Sequence, residues 1–137
     1  MAQGSAGIKT GGAHHARLTV TDPARSRAFY TGLLGFEVMM EFPDGVLVTN
    51  GSLLLGLRSG PDVGKAAAGD RFDPNRVGLD HLAIGVGSRA DLDSAVELCT
   101  AQGVTCGAVV DFGPDFGFYV LMLEDPDGIQ IELVANY

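Results

Sequence analysis

Three residues of metal-ligating type stand far apart in this chain, each in a pattern typical of a β-strand. His15 precedes alternating residues near the N-terminus, His81 opens the apolar run LAIGV, and Glu132 lies in the stretch IQIEL. Two imidazoles and one carboxylate are the smallest set that holds a Zn, Fe, Ni, Co or Mn ion with positions left for water and substrate. The spacing also permits a second interpretation, in which His81 is a hydrogen-bonded core histidine and Glu132 a surface acid.

Strand alternation decides which side chains share a face with these candidates. Near the N-terminus, Leu18 and Val20 point one way, so His15, Arg17 and Thr19 point the other. The histidine before His15 then faces the helices or solvent. Near the C-terminus, three apolar residues alternate with two polar ones, of which the second is the candidate glutamate. One sheet, with helices on its apolar side and a polar concave side, would satisfy all three strands.

Helix signals place two helices between these strands. The first begins at Asp22, which a proline follows, and the second begins at Ser88, with Asp91 as its partner in a capping box. Gly35 and Gly103 are expected to end the helices. Each copy of a degenerate repeat then reads as strand, helix and three strands over roughly 60 residues. The predicted strands after the helices are 37–41, 46–49 and 53–57, then 105–110, 117–123 and 129–134.

The repeat sets the domain organisation. The length of 137 residues favours a single domain, which we place at 13–137, after a disordered, Gly-rich tail at 1–12. Module one spans 13–57 and module two spans 78–134. The segment 58–77 between them is rich in Gly, Pro and Asp and is expected to be a linker.

Charge and composition exclude several classes of function. The chain has 9 Lys and Arg against 17 Asp and Glu, a net charge of −8, which argues against partners such as nucleic acid or an anionic membrane surface. No apolar run reaches the roughly 18–20 residues that span a bilayer. The N-terminus lacks a secretory signal pattern. Cys99 and Cys106 are interpreted as small apolar residues in a reducing compartment, so a cytoplasmic location is expected.

Three stretches resemble the vicinal oxygen chelate superfamily of glyoxalases, bleomycin-resistance proteins, fosfomycin-resistance thiol transferases and extradiol dioxygenases. The first is HARLTVTDP at 15–23, which runs on into SRAFY and LLGF; the second is GLDHLAI at 78–84; the third is EDPDGIQIEL at 124–133. They stand in the family's order and cover nearly all of 13–134. The resemblance implies an α+β fold of two βαβββ modules whose open mixed sheet encloses a cleft.

The resemblance also implies a function and a site. One divalent metal ion would be held by His15, His81 and Glu132, and it would polarise two vicinal oxygens of a small-molecule substrate in lyase, isomerase or dioxygenase chemistry. Glu132 would be the catalytic residue as well as a ligand. Arg17 is a candidate anchor for negative charge on the substrate, with a rim salt bridge as the alternative. Many small relatives exchange modules between two chains, so a homodimer is expected.

Departures from the family pattern bear on the reaction. Glyoxalases carry a fourth ligand, a glutamate, where this chain has Gly56 or Leu55. Dioxygenases place a tyrosine where this chain has Met122, and Tyr119 stands at an odd offset that turns it to the other face. The loop 111–118 is acidic and aromatic, unlike the Ser-, Asn- and Lys-rich loop of the fosfomycin thiol transferases.

Two alternatives to an enzyme remain open. A bleomycin-resistance-type protein binds its ligand in the same fold without metal, between apolar and aromatic walls. The apolar and aromatic residues that could line such walls also suit ordinary packing, and so does Tyr30 at the end of the first helix. The second alternative is a scaffold domain with a vestigial site. Candidate wall residues are Met39, Met40, Phe42, Phe112, Phe116 and Phe118.

Overall fold

The computed structural model describes residues 7–137 and confirms an α+β fold of two consecutive βαβββ modules. Residues 1–6 of the predicted tail lie outside the described residues, and residues 7–12 are exposed and hold no helix or strand. Module one contains β1 (Ala16–Thr19), α1 (Pro23–Gly32), β2 (Glu37–Phe42), β3 (Gly45–Thr49) and β4 (Leu54–Arg58). Module two contains β5 (Leu82–Gly85), α2 (Arg89–Gln102), β6 (Val110–Asp111), β7 (Phe118–Glu124) and β8 (Gln130–Asn136).

Each module builds its own four-stranded mixed sheet. The strand orders are β1-β4-β3-β2 and β5-β8-β7-β6. The pairs β1–β4 and β5–β8 are parallel, and the other pairs are antiparallel. The single continuous sheet expected from the sequence is therefore not formed within one chain. β1 and β5 are edge strands among the described residues, with one pairing side open on each.

Capping residues define the helix starts as the sequence predicts. The side chain of Asp22 accepts hydrogen bonds from the first turn of α1, and the side chain of Ser88 accepts one from the N–H of Asp91. Gly103 ends α2 at a φ of 68°. Helix α1 ends earlier than expected, because its C-cap is Leu33 and the chain has already left the helix before it turns at Gly35.

One predicted strand is largely wrong. In place of a strand over 105–110, only Cys106 bridges to Leu123, and β6 is confined to two residues. Gly107 and the alanine after it offer little side chain to pack on a pleated surface, which disfavours a regular strand. The other predicted strands lie within a residue or two of those observed, except that β5 is shorter than its apolar pattern.

The two sheets direct their apolar faces into one core. Leu18 and Leu55 of the first sheet and Ile131 and Leu133 of the second belong to the same cluster of buried side chains, together with residues from both helices. The alternation along β8 follows the sequence pattern, since Ile131 is fully buried and the residues beside it are partly exposed. The polar faces of both sheets consequently lie away from this shared core.

A buried polar contact joins the modules at the turn before β8. The Tyr30 hydroxyl of α1 donates to Asp125 Oδ2 at 2.8 Å, and the other oxygen of Asp125 accepts the N–H groups of Asp127 and Ile129 at 2.8 and 2.9 Å. Burial raises the pKa of Asp125, and the three donors oppose that rise. The Thr21 hydroxyl donates to Asp127 at 2.5 Å. Tyr30 therefore has a packing role, as the sequence predicts.

The segment between the modules is anchored to the same turn. It contains one 3₁₀ turn, Val63–Lys65, and is otherwise irregular. Phe72 packs on the core and its N–H donates to the carbonyl oxygen of Asp127 at 2.9 Å, while Arg71 lies 3.4 Å from Glu124. Within residues 7–137, no helix is both long and apolar enough to cross a bilayer.

Candidate metal centre

The second module brings two of the three predicted ligands together. β5 and β8 pair in parallel with Ala83 opposite Glu132. His81 stands two residues before Ala83 and therefore shares its face. The Nε2 atom of His81 lies 3.7 Å from Oε2 of Glu132, and the Glu132 side chain is 16% exposed. Zinc-type ions bind imidazole nitrogen and carboxylate oxygen at about 2.0–2.2 Å, so His81 and Glu132 would both suit as ligands of one ion.

The residue directly before His81 has a carboxylate side chain that contacts the imidazole ring. The Nδ1 atom of His81 lies 2.8 Å from Oδ1 of Asp80, and the side-chain amide of Gln130 donates to the carbonyl oxygen of Asp80 at 3.0 Å. These contacts leave the Nε2 side of the ring facing Glu132. Sequence reasoning missed Asp80 and Gln130, although an acid directly before a candidate ligand is a visible signal.

The third predicted ligand lies on the other module. His15 is exposed, one residue before β1, and its Nδ1 atom is 2.8 Å from Nδ1 of His14. No group of three or more His, Cys, Asp or Glu side chains within residues 7–137 is close enough to hold a metal ion. A single chain thus brings together His81 and Glu132, two of the three predicted ligands. His15 stays apart because the two sheets share a core through their apolar faces and turn their polar faces outward.

Arg17 occupies the polar face of β1 beside a glycine of β4. It pairs in register with Gly56, and a Cβ atom built on that glycine would lie 3.5 Å from the Arg17 stem. The guanidinium donates to the carbonyl oxygen of Ser59 at 2.9 Å and has no ion-pair partner within residues 7–137. Leu55 is fully buried in the core. Gly56 therefore holds the place on the polar face where a fourth ligand would stand.

The residue opposite Glu132 on β7 is apolar. Met122 pairs in register with Glu132, whereas Tyr119 belongs to the alternate face, packs on the core and lies 4.9 Å from the Tyr137 ring. The face beside Glu132 thus carries a thioether in place of a phenol. This placement agrees with the expectation that Tyr119 points away from the site.

Some candidate wall residues form an exposed aromatic cluster. Phe112, Phe116 and Phe118 have ring centroids 5.3–6.0 Å apart, and Phe116 is 66% exposed. Met39 and Met40 are also exposed at an irregularity in β2. Phe42 differs from this group, because the guanidinium carbon of Arg58 lies 4.1 Å from the centre of its ring and covers it.

A cavity of about 1060 Å³ opens between module one and the inter-module segment. Its walls include Thr19 on the polar face of β1, together with Arg25 and Asp127. Arg25 and Asp127 already form an ion pair at 3.3 Å. The segment 58–77 therefore walls a cavity beside β1 as well as joining the modules.

The similarity to known proteins extends over almost the whole chain. The sequence profile described as glyoxalase/bleomycin resistance protein/dioxygenase superfamily matches residues 12–133. The uncharacterized protein YaeR of Escherichia coli is 35% identical over 128 residues, which cover 88% of this chain and 92% of that protein. The uncharacterized protein YqjT of Bacillus subtilis is 30% identical over 127 residues, which cover 89% of this chain and 97% of that protein.

Solved structures agree with this assignment. The structure of a glyoxylase/bleomycin resistance protein/dioxygenase domain from a Frankia species superposes with a TM-score of 0.77 at 27% identity, with 94% of each chain covered. A lactoylglutathione lyase from Agrobacterium tumefaciens has the same fold at 22% identity and a TM-score of 0.70, with 93% of this chain and 96% of that chain covered. This chain therefore belongs to the glyoxalase/bleomycin resistance protein/dioxygenase superfamily.

Proposed function

We propose that this protein is a metal-dependent enzyme that acts on a small substrate with vicinal oxygens, and that two copies of the chain build each site. The observation that carries the proposal is the approach of His81 Nε2 to Glu132 Oε2 at 3.7 Å on a polar sheet face. A carboxylate and an imidazole nitrogen at this separation suit one divalent ion. The donor set is compatible with Zn, Fe, Ni, Co or Mn.

A homodimer supplies the missing ligand in this proposal. β1 and β5 each have an open edge, and an open edge favours pairing with another strand. Placing module one of one protomer beside module two of its partner would join the two edges into the continuous concave sheet expected from the sequence. His15 of one copy would then face His81 and Glu132 of the other.

The chain's own groups have distinct roles in this proposal. The bound metal would act as a Lewis acid on two vicinal oxygens of the substrate. Glu132 is proposed as a ligand and as the catalytic residue. Arg17, held by Ser59 on the polar face of β1, is proposed to anchor negative charge on the substrate. Gly56 supplies no carboxylate, which argues against the four-ligand arrangement of a glyoxalase. A cytoplasmic location stays a prediction.

Mixing two defective variants tests the shared site. We expect His15→Ala and Glu132→Ala each to bind no metal tightly, because each lacks one of three ligands. After the two proteins are unfolded and refolded together, a mixed dimer carries both lesions in one site and none in the other. Random pairing should then restore about one quarter of the sites, measured as bound Zn²⁺ per chain after gel filtration.

The matched control mixes His81→Ala with Glu132→Ala. Both residues come from the same module, so no mixed dimer contains an intact site and bound Zn²⁺ should stay at background. Equal recovery in both mixtures, or recovery in neither, contradicts a site shared between protomers. Full metal content in His15→Ala alone contradicts the assignment of His15 as a ligand.

Arg17→Met should weaken the binding of a small dianion with vicinal oxygens. Oxalate is the probe, measured by calorimetry on the Zn²⁺-loaded protein. Loss of one charge-assisted hydrogen bond is expected to reduce its affinity about tenfold. Arg27→Met is the control, because Arg27 pairs at 3.0 Å with Glu41 on an exposed surface. Equal oxalate affinity in the two variants would rule out Arg17 as an anchor.

One observation favours the metal-free binding protein as the second candidate. The cluster of Phe112, Phe116 and Phe118 exposes aromatic surface that suits a flat, apolar and cationic ligand. This function predicts that the purified dimer contains no metal and takes none up in titration. It also predicts that an apolar cationic antibiotic quenches tyrosine fluorescence stoichiometrically, and that Phe116→Ala weakens this binding.

A further inference from the structure

We propose that Asp80 is a positioning residue for His81, and that it holds the imidazole in the tautomer that keeps hydrogen on Nδ1. The Nε2 lone pair is then directed toward Glu132. This inference rests on the proposed function for its consequence, since an available Nε2 lone pair matters only if the site takes a metal. The tautomer itself is a property of the metal-free chain.

The direction of the hydrogen bond between His81 and Asp80 follows from the chemistry of the two groups. Nδ1 of His81 and Oδ1 of Asp80 are 2.8 Å apart, a normal length for a charge-assisted bond. A carboxylate has no hydrogen to donate. His81 is therefore the donor through Nδ1, and a neutral ring then has its lone pair on Nε2.

Asp80 is itself held in place. The side-chain amide of Gln130 donates to the Asp80 carbonyl oxygen at 3.0 Å and also lies 3.4 Å from its Oδ1 atom. Gln130 begins β8, which pairs with the strand that follows His81. This contact fixes the carboxylate relative to the strand that carries Glu132. An aspartate side chain that is 63% exposed would otherwise sample several rotamers.

The other tautomer of His81 is incompatible with metal binding through Nε2. With hydrogen on Nε2, the ring would point an N–H at Glu132 Oε2 across the 3.7 Å gap. That hydrogen would use the Nε2 lone pair and would leave His81 unable to coordinate a metal through Nε2. Neutral imidazole in water favours hydrogen on Nε2, so the ligating tautomer needs a partner at Nδ1. Carboxylate partners of this kind orient histidine ligands in metal sites generally.

The test reads the tautomer directly in the metal-free protein. Two-bond ¹H–¹⁵N spectra distinguish a protonated ring nitrogen from one with a lone pair, and the spectrum of His81→Gln identifies the His81 signals. In the spectrum of the neutral ring, we expect the unaltered protein to show hydrogen on Nδ1. In Asp80→Ala the signals should move to the pattern with hydrogen mainly on Nε2.

Asp93→Ala is the matched control, because Asp93 is 61% exposed and pairs with Arg89 on the surface of α2. It removes the same charge and should leave the His81 tautomer unchanged. Asp80→Leu provides a second variant without an acceptor, in case Asp80→Ala folds poorly. An unchanged Nδ1–H pattern in a folded Asp80 variant overturns the proposal.

Metal affinity is the second readout. Removing a hydrogen-bond partner of a histidine ligand weakens metal binding about 10–100-fold in known sites. We expect at least a tenfold loss of Zn²⁺ affinity in Asp80→Ala and no loss in Asp93→Ala. If the unaltered protein binds no Zn²⁺, the proposed function fails and the tautomer spectra still decide the role of Asp80. If Zn²⁺ binds equally in the Asp80 variants, Asp80 has no positioning role.

Discussion

Replacing Asp125 with alanine is expected to lower the free energy of unfolding by about 3–5 kcal/mol, because several buried donors lose their acceptor together. The donors are the Tyr30 hydroxyl and the N–H groups of Asp127 and Ile129, at 2.8, 2.8 and 2.9 Å. Asp125 is 5% exposed, so water cannot easily replace it. The measurement is urea unfolding followed by circular dichroism at neutral pH.

Tyr30→Phe removes only one of these hydrogen bonds. Its effect on the free energy of unfolding is expected to depend on pH. Burial raises the pKa of Asp125, and the Tyr30 hydroxyl opposes the rise. A group whose pKa is raised on folding contributes stability below its unfolded pKa and loses it as the pH rises through the folded pKa. Without the hydroxyl the folded pKa rises further, so this loss becomes larger and extends to higher pH.

We therefore expect Tyr30→Phe to destabilise the protein more at about pH 7 than near the unfolded aspartate pKa of about 3.9. The expected difference at neutral pH is about 1–3 kcal/mol, the range for a lost bond to a buried charged group. The pH dependence should disappear in the Asp125→Asn background. A Tyr30→Phe effect that is equal at both pH values, or larger at the lower one, contradicts the assignment.

This contact matters for the candidate site as well as for stability. Asp125 shapes the turn that leads into β8, and Glu132 lies on that strand. Phe72 and Thr21 bind the same turn through Asp127. Module one, the inter-module segment and the strand with the catalytic candidate are therefore joined at one buried polar cluster.

Gly45→Ala is expected to lower the free energy of unfolding by about 3 kcal/mol or more, since it combines backbone strain with a steric clash. Gly45 has a φ of +153°, and a Cβ atom there would lie 2.0 Å from the Leu57 carbonyl oxygen and 2.8 Å from Cα of Arg58. Both are backbone atoms of β4, which pairs with β3 at this residue. Relief of the clash requires separation of the strands.

Gly51→Ala is the matched control in the neighbouring turn. Gly51 also has a positive φ, +96°, but a Cβ atom would meet nothing within 4 Å. It should therefore show only the conformational strain, about 1–2 kcal/mol. If the dependence of the unfolding free energy on urea is the same in both variants, the difference between their urea midpoints reports the steric clash beyond the backbone strain. Equal destabilisation in the two variants would refute the steric argument.

The sequence by itself determined the local elements and their repetition. Period-two alternation along β8, the caps at Asp22 and Ser88, and the turn glycines are local signals, and each acts over a few residues. They were enough to predict two βαβββ modules and to assign the face of Glu132. They were not enough for 105–110, where small residues leave the sheet contact to be decided by distant neighbours.

The tertiary structure decided which candidate residues meet. The alternation of side chains along each strand placed His15, His81 and Glu132 on polar faces. This alternation does not say how the two sheets are oriented relative to one another. Both sheets bury their apolar faces in one core, so one chain brings only His81 and Glu132 together. The strand register also decided between Gly56 and Leu55 for the missing fourth ligand.

Long-range packing is the physical reason why local sequence predicts the elements but not which candidate residues meet. The contact of Asp80 with Gln130 joins residues 50 apart, and that of Tyr30 with Asp125 joins residues 95 apart. No window of local sequence contains both partners of such a contact. Local patterns set strand faces and helix caps, whereas burial of apolar surface from both modules determines which polar groups are brought together.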